Sequence, residues 1–111
     1  MPERPKDANQ LFDLTDKTAV ITGGSRGLGL EMAWAFAKAG AQVVTASRNA
    51  DTCQKIAAEI QKETGMQCLG IAFHAGNWDD SDTLAKTAID TFSKIDILVN
   101  NAGQSPHIRQ P

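Results

Sequence analysis

Three glycines, Gly23, Gly27 and Gly29, sit inside the run Thr18-Ala-Val-Ile-Thr-Gly-Gly-Ser-Arg-Gly-Leu-Gly-Leu-Glu31, where an apolar β-type stretch breaks and then resumes with helical character. Glycine has no Cβ, so the backbone at these positions can turn with positive φ and come within contact distance of a bound group. A helix opening at about Leu28 would aim its unpaired N–H groups and the positive end of its dipole at the same point. The chemistry this suits is the holding of an anion, a pyrophosphate above all. A second turn with chemical character, Asn100-Asn-Ala-Gly103, leaves another apolar run at 95–99.

A glycine-rich turn alone also makes ordinary tight turns and helix caps. Here its context matches a dinucleotide fingerprint: a strand before it, a helix after it, and a second strand ending about 20 residues further on. The elements that must position both turns are read from periodicity and breakers. Strands are expected at 18–22, 42–46, 67–73 and 95–99. The first helix, from about 28 to 39, carries Leu28, Met32, Ala35, Phe36 and Ala39 at helical spacing and stops at Gly40. The second is capped by Asn49 or Asp51, keeps Cys53, Ile56, Ala57 and Ile60 on one face and runs up to Gly65. The third is capped by Asp80 or Ser81 and has Leu84, Ala85, Ala88, Ile89 and Phe92 on one side.

Strict alternation of strand and helix implies right-handed crossovers and a parallel sheet. The fold class is α/β, a Rossmann-type parallel sheet with flanking helices, ending after strand 4 in the order 3-2-1-4. The two turns then leave the carboxyl ends of neighbouring strands 1 and 4 and face each other across one crevice.

At 111 residues the chain reads as a single domain, incomplete as a Rossmann unit, with 1–10 as a flexible polar leader. Leu11, Phe12 and Leu14 offer apolar groups to the sheet edge. With 41% hydrophobic and 22% charged residues the composition is that of a soluble globular protein. A net charge of -2 gives no basic field for nucleic acid or anionic lipid. No apolar run approaches the about 20 residues that cross a bilayer, and 1–16 lack the apolar block of a signal peptide, so a cytoplasmic protein is expected. Cys53 and Cys68 then read as reduced, buried small hydrophobes. Only His74 and His107 exist, and no cysteine or carboxylate cluster has ligand spacing, so no metal site is expected. Trp34 falls off the first helix stripe and reads as a partly exposed aromatic.

Thr22-Gly-Gly-Ser-Arg-Gly-Leu-Gly29 and Asn100-Asn-Ala-Gly103, with Asp96 leading strand 4, resemble the short-chain dehydrogenase/reductase family, whose patterns are TGxxxGxG and NNAG. The resemblance runs from about Leu11 to the end of the chain. It implies that Gly23, Ser25, Arg26, Gly27, Leu28 and Gly29 hold the adenosine side and pyrophosphate of NAD(P), and that Asn101, Ala102 and Gly103 lie beside the cofactor. Asn100 and Asp96 read as structural residues that fix the turn.

The resemblance also places Ser47 where an NAD site carries an acidic residue for the ribose 2′-OH, with Arg48 next to it. A hydroxyl and a guanidinium, with Arg26 on the same side, suit a 2′-phosphate, so NADP is expected over NAD. After strand 3, where the family commonly has an Asp beside the adenine, the sequence reads His74-Ala75. His74 is expected to hydrogen-bond or stack on the base, and Ala75 to touch it through its backbone.

Family catalysis uses a Tyr in a Tyr-x-x-x-Lys unit with a Ser and an Asn upstream of it. The sequence contains no tyrosine, so no catalytic residue is assigned. The reading is the N-terminal cofactor-binding half of an NAD(P)-dependent oxidoreductase that moves a hydride between nicotinamide and an alcohol or carbonyl carbon. These 111 residues alone are expected to be inactive, with NADP(H) as ligand. The small-molecule substrate and homo-oligomeric association belong to a full-length form. The alternative is a non-catalytic truncation product that binds a nucleotide or a full-length subunit. Another Rossmann enzyme, such as a methyltransferase, has no need of Asn-Asn-Ala-Gly.

Overall fold

The computed structural model describes residues 13–23, 27–74 and 76–101. Along them the chain alternates β1 (Thr18–Thr22), α1 (Gly27–Lys38), β2 (Gln42–Ser47), α2 (Ala50–Thr64), β3 (Cys68–Ala72), α3 (Trp78–Phe92) and β4 (Ile97–Asn100). The strands form one sheet in the order β3-β2-β1-β4, each neighbouring pair parallel. Both the order and the direction are those expected from the alternation. The expected leader at 1–10, with Leu11 and Phe12, lies outside the described residues.

β1 and β2 occupy the middle of the sheet, and their apolar residues Ala19, Val20, Ile21, Val43, Val44 and Ala46 are buried, as strands covered on both faces require. Successive side chains point to opposite layers. Val20, Val44 and Ala46 pack with Leu84, Ala88 and Phe92 of α3. Ile21 and Val43 pack on the other side with Ala33 and Ala37 of α1 and Ile60 of α2. Leu14 joins that second layer and ties the entering chain to α1 through its N–H, which donates to Ala39 O at 2.8 Å.

The buried line of α1 differs from the expected stripe. Gly29, Ala33 and Ala37 face the sheet, while Leu28 and Ala35 are exposed. Size decides this: residues with one side-chain carbon or none let the helix approach the strands closely, and Met32 and Phe36 fill the flanks half-buried. On α3 the buried residues are Leu84, Ala88 and Phe92, and Ala85 and Ile89 turn to water.

Asn49 caps α2 by accepting the Thr52 N–H at 3.0 Å, and Gly65 closes it in the left-handed conformation. The cap of α3 is Asn77, whose Oδ1 accepts the Asp80 N–H at 3.1 Å. The helix therefore starts a turn earlier than the expected Asp80 or Ser81 cap, because the Asp80 carboxylate is engaged elsewhere. β4 begins at Ile97, since Asp96 uses its own N–H and carboxylate to close onto Thr18. It continues to Asn100, which pairs with Thr22.

Candidate functional site

Because β1 and β4 are neighbours, the turns leaving their carboxyl ends emerge side by side. Thr22 and Asn100 are opposite one another in register. The Thr22 hydroxyl accepts the Asn101 N–H at 2.9 Å and lies 3.1 Å from Asn100 Oδ1 and 3.3 Å from Val99 O, the two acceptors for its proton. One hydroxyl thus ties the turn after β4 to the residue that enters the glycine turn.

Gly23 and Gly27 adopt φ of 73° and 61°, the left-handed region that glycine enters without a steric penalty. The Gly23 N–H donates to Ala46 O at 2.6 Å, anchoring the turn to β2. The closest approach is at Gly29, where a Cβ would stand 2.2 Å from Gly23 O and 2.8 Å from Asn101 Nδ2. The carbonyl leaving β1, the first turn of α1 and the Asn101 amide therefore converge on one point.

The phosphate part of a dinucleotide needs donors, positive potential and room. The first turn of α1 has no acidic side chain to oppose its N–H groups and dipole. At Gly27 there is room on one side: among the described residues nothing lies within 4 Å of where its Cβ would be. Leu28, the second residue of α1, is 66% exposed. The residues present fit such a group.

The end of β2 is tied to Gly23 by the bond to Ala46 O, and the end of β3 lies one strand further out. Ser47 is half-buried and Arg48 exposed. Ser47 Oγ lies 3.0 Å from Cys53 Sγ, a partner that the spacing of the two residues did not suggest. Cys53 is delivered there because α2 lies directly on β3: a Cβ on Gly70 would come within 2.4 Å of the Cys53 carbonyl carbon. Ser47 O accepts the Phe73 N–H at 2.8 Å, which keeps the exit of β3 beside that of β2. His74 follows at once, and its N–H and ring Nδ1 both meet Asp80 Oδ2, at 2.8 and 2.9 Å. The His74 ring, and then its N–H, hold the Asp80 carboxyl below the usual carboxylate range.

The structure therefore brings Gly23, Gly27, Leu28 and Gly29 together with Asn101 at the ends of β1 and β4, and Ser47, Arg48 and His74 to the ends of β2 and β3. Ser25, Arg26, Ala75, Ala102 and Gly103 lie outside the described residues. Asp96 differs from the expectation. Its carboxylate accepts the Thr18 N–H at 2.9 Å and pairs with Lys94 at 3.3 Å, at the amino end of the strands, so it fixes the pairing of β4 with β1 rather than the turn. Cys53 is buried as expected, but Cys68 is only half-buried. Trp34 is half-buried with the Lys38 ammonium 5.7 Å from its ring centre. Among the described residues no helix is long and apolar enough to cross a membrane, and no group of three His, Cys, Asp or Glu could hold a metal.

The model of the short chain dehydrogenase family matches residues 17–111. An uncharacterized oxidoreductase of Mycobacterium tuberculosis is 43% identical over 93 residues, covering 84% of this chain and 35% of that protein. The 7alpha-hydroxysteroid dehydrogenase of Escherichia coli K12 is 42% identical over 90 residues, covering 81% of this chain and 35% of its own length. The crystal structure of L-sorbose reductase from Gluconobacter frateurii, complexed with NADPH and L-sorbose, superposes with a TM-score of 0.81 at 34% identity over 88% of this chain and 37% of that one. The chain thus spans about a third of the length of the curated relatives it matches.

Proposed function

The chain belongs to the short chain dehydrogenase family, and we propose that its 111 residues form a dinucleotide-binding domain that takes NADP(H). The observation that carries this reading is the convergence at Gly29, where Gly23 O and Asn101 Nδ2 occupy the space of a side chain. This packing draws the amino end of α1 against the ends of β1 and β4, and the open side at Gly27, where an added Cβ would meet nothing within 4 Å, is where a pyrophosphate would lie. Gly23, Ser25, Arg26, Gly27, Leu28 and Gly29 hold the pyrophosphate side, and Asn101, Ala102 and Gly103 flank the cofactor from β4. Ser47 and Arg48 take the ribose, and His74 and Ala75 the base.

A 2′-phosphate is favoured over a 2′-OH because β2 ends in Ser47, with Arg48 directly after it and no carboxylate at that position. The L-sorbose reductase similar to this chain was crystallised with NADPH, which agrees with that choice. The cofactor, when bound, supplies or accepts the hydride, and in a full-length oxidoreductase the other partner would be an alcohol or carbonyl carbon. The present residues bind and orient, since no tyrosine is among them to hold the proton of a carbonyl oxygen.

Exchange of Ser47→Asp tests the assignment. Placing a carboxylate at the end of β2 repels a 2′-phosphate and accepts a 2′-OH. The expected outcome is that NADPH affinity falls about tenfold or more, the worth of one close like-charge contact or a lost charge-assisted hydrogen bond, while NADH affinity holds or rises. An unchanged NADPH to NADH ratio contradicts the reading.

A further inference from the structure

Asp80 lies on α3, away from the glycine and asparagine turns, yet one of its oxygens holds the residue that leaves β3. Oδ2 receives both the His74 backbone N–H at 2.8 Å and the ring Nδ1 at 2.9 Å. The loop is closed from its other end as well: Asn77 N–H donates to His74 O at 3.1 Å, and Asn77 Oδ1 accepts the Asp80 N–H at 3.1 Å. The His74 backbone is thus held at its N–H and its carbonyl, and the ring is held to the same anchored loop through Nδ1. Its side chain remains 55% exposed, whereas that of Asp80 is 29% exposed.

We propose that Asp80 is a positioning residue: it locks His74 in the tautomer with the proton on Nδ1, so that Nε2 is a bare acceptor for the exocyclic amine of a 6-aminopurine. An ionised carboxylate has no proton to give, so the Nδ1 facing Oδ2 must carry one. A neutral imidazole has a single ring proton, which leaves the lone pair on Nε2. An acceptor there receives the N6 amine of adenine and opposes the lone pairs of a 6-oxo purine. The position suits a base, because Phe73 N–H binds Ser47 O and so sets His74 next to the end of β2, where the ribose is assigned. The inference rests on that assignment, which already gives the base to His74, and adds to it the residue that fixes how His74 presents its ring.

Two measurements test it. Long-range proton–nitrogen spectra of the histidine rings at pH 8.5, above the ordinary imidazole range, report the tautomer directly. The chain has two histidines, so a His74→Gln variant assigns the signals. The expected result is a protonated Nδ1 and a bare Nε2 at His74, reverting in Asp80→Ala to the Nε2–H form that free imidazole side chains favour in water. A His74 already in the Nε2–H form overturns the proposal without recourse to any variant.

The second measurement compares NADPH with its hypoxanthine analogue, which carries a 6-oxo group. Wild type is expected to favour NADPH by roughly three- to tenfold, the worth of one partly exposed hydrogen bond, and Asp80→Ala to bring the ratio close to one. Equal affinity for the two in wild type, with Ser47→Asp still exchanging NADPH for NADH, overturns the role of Asp80 and leaves the dinucleotide reading standing. Failure of both nucleotides to bind overturns both.

Discussion

The N–H of Asn101 donates to the hydroxyl of Thr22 at 2.9 Å, joining residues 79 positions apart in the chain. With Thr22 opposite Asn100 in the sheet, this bond makes the ends of β1 and β4 a single piece of structure. Gly23 and Asn101, the described residues that follow the two strands, leave from that piece. A valine at Thr22 keeps the volume and removes the hydroxyl, leaving the Asn101 N–H without that partner. Thr22→Val is expected to lower stability by about 1 kcal/mol, the worth of one part-buried hydrogen bond, and to weaken NADPH binding. Urea unfolding checks the first, and a variant as stable as wild type contradicts it.

Gly29→Ala tests the packing itself. Its Cβ would sit 2.2 Å from a backbone oxygen of Gly23, an atom that cannot rotate away. The expected loss is about 1–3 kcal/mol, typical of forced overpacking, with reduced NADPH affinity. Gly27→Ala is a useful contrast, since its Cβ meets nothing within 4 Å and only its φ of 61° opposes a side chain. It should cost about 1–2 kcal/mol from left-handed backbone strain alone. If Gly29→Ala is silent in both stability and binding, the close approach has no consequence.

Stability should fall in acid partly through Asp96. The Thr18 N–H, and after it the Lys94 and Lys17 ammoniums, hold its carboxyl below the ordinary value of 3.8. The folded state therefore binds this proton later than the unfolded chain as pH falls. The contribution is complete above 3.8 and disappears as pH drops below it toward the folded value. Asp96→Asn should be less stable than wild type at pH 7, with the gap narrowing at pH 3. A gap of constant size across urea titrations at the two pH values contradicts the assignment.

Thiol chemistry should be slow in the native protein. Burial, and then the neighbouring Cys53, pushes the Cys68 thiol up to about 12, and Cys53 itself is buried. Since the thiolate is the reactive form, a disulfide reagent at pH 8 should label neither cysteine promptly until guanidinium unfolds the chain. A fast native phase contradicts this.

Much of the fold was legible because its signals are local. The apolar runs, Gly40 and Gly65 as stops and Asn49 as a cap each act within a few residues, and alternation alone fixes a parallel sheet. The α1 stripe was misread because Gly29, Ala33 and Ala37 are buried for being small, which hydrophobic periodicity does not weigh. The α3 cap was misplaced because Asn77, Asp80 and Ser81 all have capping side chains. Only the tertiary demand of His74 on Asp80 decides among them. In the site, Gly23 and Gly29 stand out from the spacing of the glycine turn, whereas the place of Asn101 beside the cofactor is what the family resemblance of Asn-Asn-Ala-Gly implies. The contacts of Ser47 with Cys53 and of His74 with Asp80 arise from how α2 and α3 are seated, although an Asp six residues after a strand-end His is a signal that could have been sought.

Titration of the uniformly 15N-labelled protein with NADPH tests the central claim most directly, that the two turns hold one dinucleotide between them. The account expects the largest amide shifts at Gly23, Gly27 and Gly29 together with Asn101 and Ser47, saturating at a common concentration. Shifts confined to one of the two turns, or centred on Trp34 and Lys38 on α1, would contradict it.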